Sequence, residues 1–271
     1  MSELSDGSSK QRISAIYRYP IKGLSGEAHE SFKLVANEGM AGDRSIAIAR
    51  KPNTFDHDNP DGVAKNHFLM LMRDAKLAEL DSKITGEDDE LILCQDGTEL
   101  LRAPLRSVDG QQAIEAFFND FLDEESLSPV LVQFEHYKFT DINRISAEKM
   151  NAISLINLAS VRALEEAIGQ PVDPLRFRAN IYFDGRPAWK EFDWLDGSIT
   201  LGTARANIVM RTGRCAATQV NPATAERDLD IPRLLRKNFG HSDMGVYAEI
   251  SHSGVVAIGD RITSVADNVP S

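Results

Sequence analysis

The apolar residues of this chain come in short runs, and a turn residue closes almost every one of them. Ile13 to Tyr19 is β-branched and aromatic and stops at Pro20, and Phe32 to Val35 is a second short run. Leu91 to Cys94 meets Asp96-Gly97, Asn180 to Phe183 meets Asp184-Gly185, and Ile199 to Leu201 follows Asp196-Gly197. Such runs read as β-strands, because two-residue turns that need unusual backbone angles select Gly and Asp. Arg44 to Arg50 alternates polar and apolar, as a half-buried strand does. Val130 to Phe134 and Ala204 to Met210 are further strands, and Val246 to Ile250 with Val255 to Ile258 predicts a hairpin around Ser253-Gly254. Asn37 to Asp43, with two glycines, is a turn.

Helices are fewer. Gln111 to Leu122 places Ile114, Phe117, Phe118 and Phe121 on one face. Phe68 to Leu80 has a rougher stripe of Leu69, Met72 and Leu80. Ser160 to Ile168 predicts a short helix capped by Ser160 and ended by Gly169, and Ile231 to Phe239 another with Pro232 in its first turn. The fold expected is mainly β with attached helices, an α+β arrangement around a β-barrel.

Composition removes whole classes of function. The net charge of -11, from 30 basic and 41 acidic residues, argues against nucleic-acid binding. No apolar run is long enough for a membrane span, and the first residues lack the apolar core of a signal peptide, so the expected compartment is the cytoplasm. Acidic runs occur at 87–90 and 123–125. By contrast Arg176, Arg178, Arg186, Lys190, Arg205, Arg211 and Arg214 face only four carboxylates in 176–214, which points to a local anion site or to a solvated basic surface. The two cysteines, Cys94 and Cys215, cannot build a disulfide framework or hold an iron–sulfur cluster. The six histidines show no metal-ligand spacing, and the loop at 56–62 fails as a calcium loop because Pro60 takes a ligand position.

Cys94 sits in an apolar strand and reads as core. Cys215 follows the end of a strand and Gly213, with Arg214 beside its thiol. An adjacent guanidinium favours thiolate, the soft donor that a thiophilic metal uses, so a reactive cysteine and an inert buried one both fit.

The stretch Arg214-Cys215-Ala216-Ala217-Thr218-Gln219-Val220-Asn221-Pro222-Ala223-Thr224 resembles the RCxxTxVDPxTG signature of MOSC domains, with Asn221 for Asp and Ala225 for Gly. Gly254 to Ile262 is similar to the family's closing GxIxxGDxV segment. Ser154 to Ser160 and Phe177-Arg178-Ala179-Asn180-Ile181 resemble its SLxLxxxAS and FRPN segments. Tyr19-Pro20-Ile21-Lys22-Gly23 and Gly42-Asp43-Arg44 resemble the N-terminal barrel that precedes MOSC in the mitochondrial amidoxime-reducing component and its bacterial relatives.

The resemblance implies a MOSC-type β-barrel at 126–265 behind a smaller β-barrel-like domain at 13–125, with tails at 1–12 and 266–271. It implies a molybdenum cofactor with Cys215 as metal ligand and catalytic centre. Lys22, Gly23, Arg44, Asn157, Arg178, Asn180, Arg214 and Thr218 would be its binding residues, and the excess of arginine after residue 176 would serve the same anion. The implied activity is reduction of small N-hydroxylated substrates. Electrons would come from a separate ferredoxin, flavin reductase or cytochrome b5 type of protein, since the chain stops shortly after the GD motif. A sulfur carrier with a persulfide on Cys215 and a non-catalytic cofactor carrier are the alternatives. Pyridoxal phosphate is not expected. The loop 51–66 is a candidate wall of the pocket.

Overall fold

The computed structural model describes residues 11–53, 64–86, 89–134, 137–142, 146 and 149–264. The tail at 266–271, residues 1–10 of the N-terminal one, the failed calcium loop, most of the 51–66 loop and part of the acidic run at 87–90 lie outside them, whereas Gln11 is buried and Arg12 begins the first strand, so the N-terminal tail is shorter than expected. Among the described residues the chain is mainly β with three α-helices, and no helix is long and apolar enough to cross a membrane.

The strands, in order, are β1 (Arg12–Arg18), β2 (Glu27–His29), β3 (Ser31–Val35), β4 (Gly39–Met40), β5 (Ile46–Ala49), β6 (Asp81–Thr85), β7 (Glu90–Gln95) and β8 (Thr98–Pro104). Helix α1 (Val108–Leu122), β9 (Val130–Gln133), β10 (Ile153–Asn157), α2 (Leu158–Ile168) and β11 (Ile181–Asp184) follow. The chain continues with β12 (Ser198–Leu201), β13 (Ala204–Gly213), α3 (Ile231–Phe239), β14 (Asp243–His252), β15 (Gly254–Ala257) and β16 (Ile262–Ser264). Eight of the strands form a curled half-barrel in the order β16-β12-β13-β14-β10-β11-β1-β2. It draws strands from both sides of residue 125. Its concave face buries Ile13, Phe183, Leu201, Ile208 and Val246, and its other face is covered by α2 and α3 through Tyr182, Leu164 and Leu235. A second core joins the β6-β7-β8 sheet to α1 through Leu91, Leu93, Ile114 and Phe118.

Helix ends follow local chemistry. Ser107 caps α1 by accepting from Gly110 N at 3.0 Å, and Asp230 and Gly240 (φ +79°) bound α3. Asn157, not Ser160, caps α2, accepting from Ala159 N at 3.1 Å; Ser160 is fully buried and donates to Glu191 at 2.7 Å.

Four expectations give way to tertiary contacts. Phe68 to Leu80 is not an α-helix: Leu69 N donates to Ile48 O at 2.8 Å, the chain turns at 70–74, and only Ala75–Glu79 makes a 3-10 turn. Pairing beside β5 and a buried Arg50–Asp74 ion pair override the weak stripe. The predicted hairpin of β14 and β15 does not form, because β15 pairs with β3. Gly254 lies against the backbone of Thr203 and Ala204, where a Cβ would meet Ala204 N at 2.4 Å, and the chain leaves the sheet there. β5 alternates as expected but is buried throughout, since Ile46 and Ile48 enter one core and Ala47 and Ala49 another. Cys94 is half-buried rather than core.

Candidate functional site

The end of β13, the turn after β1 and the loops before β10 and β11 converge on one cleft. Its empty space, open mouth included, is about 900 Å³. Lys22, Gly23, Arg44, Arg178, Asn180, Arg214, Cys215 and Thr218 all line it. Asn157 does not: besides capping α2, its side-chain amide donates to Glu191 at 3.1 Å and to Pro187 O at 2.9 Å. Of the seven cations in 176–214, only Arg176, Arg178 and Arg214 reach the cleft. Arg211 instead lies over Phe192, and Lys190 pairs with Asp193 at 3.2 Å.

Each cation is placed by backbone geometry. Lys22 follows Pro20, and its own N–H bonds Ile46 O at 2.8 Å, which turns the ammonium toward Phe139 O at 2.9 Å and Asp141 at 3.5 Å. Arg44 and Arg178 both adopt left-handed backbone angles, φ +50° and +51°. Their guanidinium carbons lie 4.7 and 4.5 Å from the centre of the Tyr19 ring, a cation–π contact that holds them together against their mutual repulsion. Arg44 also bonds Asp43 at 2.6 Å and Arg178 O at 2.7 Å, and Arg178 donates to Leu24 O. Arg214 spends its guanidinium on Phe177 O at 2.9 Å and on Met244 O. Gly23 needs its freedom: φ is +87°, and a Cβ would stand 3.1 Å from Leu69 O.

Burial dominates the electrostatics. It pushes Lys22 below its ordinary value, with Arg44 and Lys65 adding to the effect against Asp141. It brings Arg178 down to about 10, and Arg44 contributes. Arg214 is lowered for the same reason. Burial also acts on Arg44, but Asp43 and Tyr19 outweigh it and the value rises. Asp141 falls although burial opposes it, because Lys22, Lys65 and Arg44 surround it. The cleft thus holds more cationic charge than its own carboxylates neutralise.

The polar side chains divide by whether they are already used. Thr218 Oγ1 donates to Cys215 O at 2.8 Å, so its hydroxyl shapes the loop under the cysteine. Asn180 Oδ1 accepts from Ser154 N at 3.0 Å and its amide donates to Tyr17 O at 3.2 Å. Arg176 Nε and Thr212 Oγ1 are buried with no hydrogen-bond partner. Lys65, from the 51–66 loop expected as a wall, lines the cleft, and Met70, Phe139, Asp141, Thr212 and Tyr247 also line it without having carried a local signal. Arg176 had one, the local excess of arginine. No group of three or more His, Cys, Asp or Glu side chains gathers among the described residues.

Cys215 and its motif lie inside residues 142–263, which match the family model of the MOSC domain. This chain carries a MOSC domain. It is 31% identical over 139 residues to mitochondrial amidoxime-reducing component 1 of Xenopus laevis, a match covering 47% of this chain and 40% of that protein. Molybdenum cofactor sulfurase of Drosophila erecta is 26% identical over 153 residues, 55% of this chain and 19% of that protein. The matched stretch therefore spans well under two thirds of either relative. Among solved structures, the YuaD protein of Bacillus subtilis aligns over 93% of both chains at 14% identity with a TM-score of 0.43. YiiM of Geobacillus stearothermophilus aligns over 42% of this chain and 53% of that one, at 20% identity and a TM-score of 0.34. Within the MOSC domain, β13 delivers Arg214 and Cys215 to the cleft, while Lys22, Gly23 and Arg44 come to it from outside residues 142–263.

Proposed function

We propose that the cleft binds a molybdenum–pterin cofactor with Cys215 as the protein ligand to the metal. On this reading the protein reduces small N-hydroxylated compounds with electrons from a separate donor protein. The observation that carries the reading is the set of buried, under-neutralised cations (Lys22, Arg44, Arg178 and Arg214) lining the same cleft as an accessible thiol. An anionic ligand would supply the counter-charge that Asp43, paired with Arg44, and Asp141, beside Lys22, do not provide for the whole set. The fit extends to Arg176 Nε and Thr212 Oγ1, two buried donors that lack acceptors.

The bound cofactor supplies two-electron oxygen-atom chemistry, and the protein supplies binding and orientation. Arg178 uses one N–H on Leu24 O and so keeps others for a phosphate, which a planar guanidinium can engage in pairs. Lys22 and Arg44 face the same charge from the N-terminal side. Thr218 holds the Cys215 carbonyl and fixes the direction from which the thiol enters the cleft. Met70, Leu71, Met72 and Phe139 make an apolar wall that keeps water from this end. The two cysteines of this sequence cannot hold an iron–sulfur cluster, which is the reason for assigning electron supply to a partner.

The test is metal content. Wild-type protein from molybdate-replete cells is expected to carry molybdenum, and Cys215→Ala to lose it; equal metal in both sinks the ligand assignment. Turnover of an N-hydroxylated substrate with a chemical reductant then separates an enzyme from a non-catalytic carrier. The likeness to molybdenum cofactor sulfurase supports a second reading, Cys215 as a persulfide carrier. A persulfide found on Cys215 by mass spectrometry, in protein free of pterin, would favour it.

A further inference from the structure

Behind the cleft lies a second cavity, about 710 Å³ of empty space with its open mouth included, walled by Tyr17, Tyr19, Leu80 and Leu175. The two spaces share Gly23, Leu71, Arg176 and Arg178. Gly23 has no side chain to divide them. Arg176 is tied to Gln219 O at 3.1 Å and to Asp228 at 2.7 Å, and Arg178 to Leu24 O. Leu71 is the one apolar side chain in the partition, and it sits in a turn rather than in a helix or strand.

Asp74 holds the start of that turn by accepting from Met70 N at 3.0 Å, and Arg227 holds its carbonyls from the far side of the cleft. Arg227 Nη2 donates to Leu71 O at 2.7 Å and to Met72 O at 2.8 Å, and Nη1 donates to Ala216 O at 3.3 Å. Among the described residues the two carbonyls accept no other hydrogen bond. Ala216 is the residue after Cys215, so one guanidinium ties the partition to the cysteine loop. Arg227 is itself braced, because Val220 and Arg227 form a β-bridge and Asn221 Nδ2 donates to Asp228 at 2.7 Å.

We propose that Arg227 is a positioning residue that holds Leu71 as the partition between the Cys215 cleft and the apolar cavity behind it. It thereby limits the bulk of what can reach Cys215. Slender ligands are admitted with the partition closed, whereas a broad aromatic group needs Leu71 to move toward the tyrosine-lined cavity. The inference rests on Cys215 being the working end of the cleft, whatever reaction occurs there.

The test reads the thiol directly, without metal, electrons or turnover. Full-length protein carrying Cys94→Ser, from cells unable to make the pterin cofactor, is alkylated at Cys215 with iodoacetamide and with pyrene maleimide. Arg227→Ala is expected to raise the pyrene maleimide rate about tenfold, the equivalent of about 1.4 kcal/mol, and to leave the iodoacetamide rate unchanged. Leu71→Ala keeps the backbone carbonyls that Arg227 holds and is expected to show the same selective gain, which covers the case in which Arg227→Ala fails to fold. Parallel acceleration of both reagents, or no gain for the bulky one in either variant, overturns the proposal. Because no step involves molybdenum, such a failure leaves the reductase reading standing, and loss of that reading leaves this result interpretable.

Discussion

Replacing Arg50 with Met tests how the apolar wall of the cleft is built. Arg50 and Asp74 form an ion pair at 2.7 Å with side chains only 7% and 6% exposed. Asp74 also accepts from Met70 N at 3.0 Å, which shapes the turn carrying Leu71 and Met72. Removing the arginine leaves a buried carboxylate without its counter-ion, a loss of about 3–5 kcal/mol. Glu124, the second partner of Arg50, is 31% exposed and adds about 1 kcal/mol at most. At about 2–4 °C per kcal/mol for a chain near this size, the melting temperature should fall by roughly 6–20 °C, followed by far-ultraviolet circular dichroism. Arg50→Met with Asp74→Met removes both charges and should recover most of the loss, stopping about 1–3 kcal/mol short of wild type because Met70 N loses its acceptor. A single variant that loses less than about 1 kcal/mol, or a double variant as unstable as the single, refutes the claim that this pair holds the wall.

Two further predictions concern other buried groups. Burial raises the Glu191 carboxyl above its ordinary value, more than hydrogen bonds from Ser160 and Asn157 lower it. A raised folded value means that its stabilisation is complete below the unfolded value and is lost as pH climbs through the folded one. Glu191→Gln should therefore gain melting temperature relative to wild type from pH 4.5 upward toward neutrality, and a relative loss over that window would show the carboxylate to be paired by a cation. Gly23→Ala places a Cβ at a left-handed φ, 3.1 Å from Leu69 O. It should cost about 1–2 kcal/mol in urea unfolding of the cofactor-free chain, and a neutral result would mean that the turn relaxes freely.

Much of the framework is legible in the sequence because strand periodicity, capping residues and turn glycines act locally. β1, β3, β7, β9, β11, β12 and β13 fall on short apolar runs, most of them bounded by turn residues, α1 where apolar residues repeat at helical spacing, and α3 where Pro232 marks a first turn. Cys215 stands out because its motif is contiguous. The thin stripe at 68–80 misleads, since a helical pattern of leucines cannot compete with backbone hydrogen bonds to β5 and a buried ion pair that come from elsewhere in the chain. The hairpin of β14 and β15 fails likewise, because Val255 and Val256 need a pairing edge but carry no information about which edge is vacant.

What the sequence by itself determined is the alphabet of the molecule: β-rich elements, their approximate limits, and one cysteine beside an arginine in a MOSC motif. The tertiary structure alone decided which charges act together. It brings Lys22 and Arg44 to Arg178 and Arg214 across more than a hundred residues and stacks two of them on Tyr19. It sends Arg211 and Lys190 elsewhere. It also spends Asn157, Thr218 and most of Asn180 on internal bonds. The physical reason is that a polar atom has few hydrogen-bonding positions and a buried charge gains or loses by its nearest neighbours. Both depend on contacts between distant segments, which spacing along the chain does not encode.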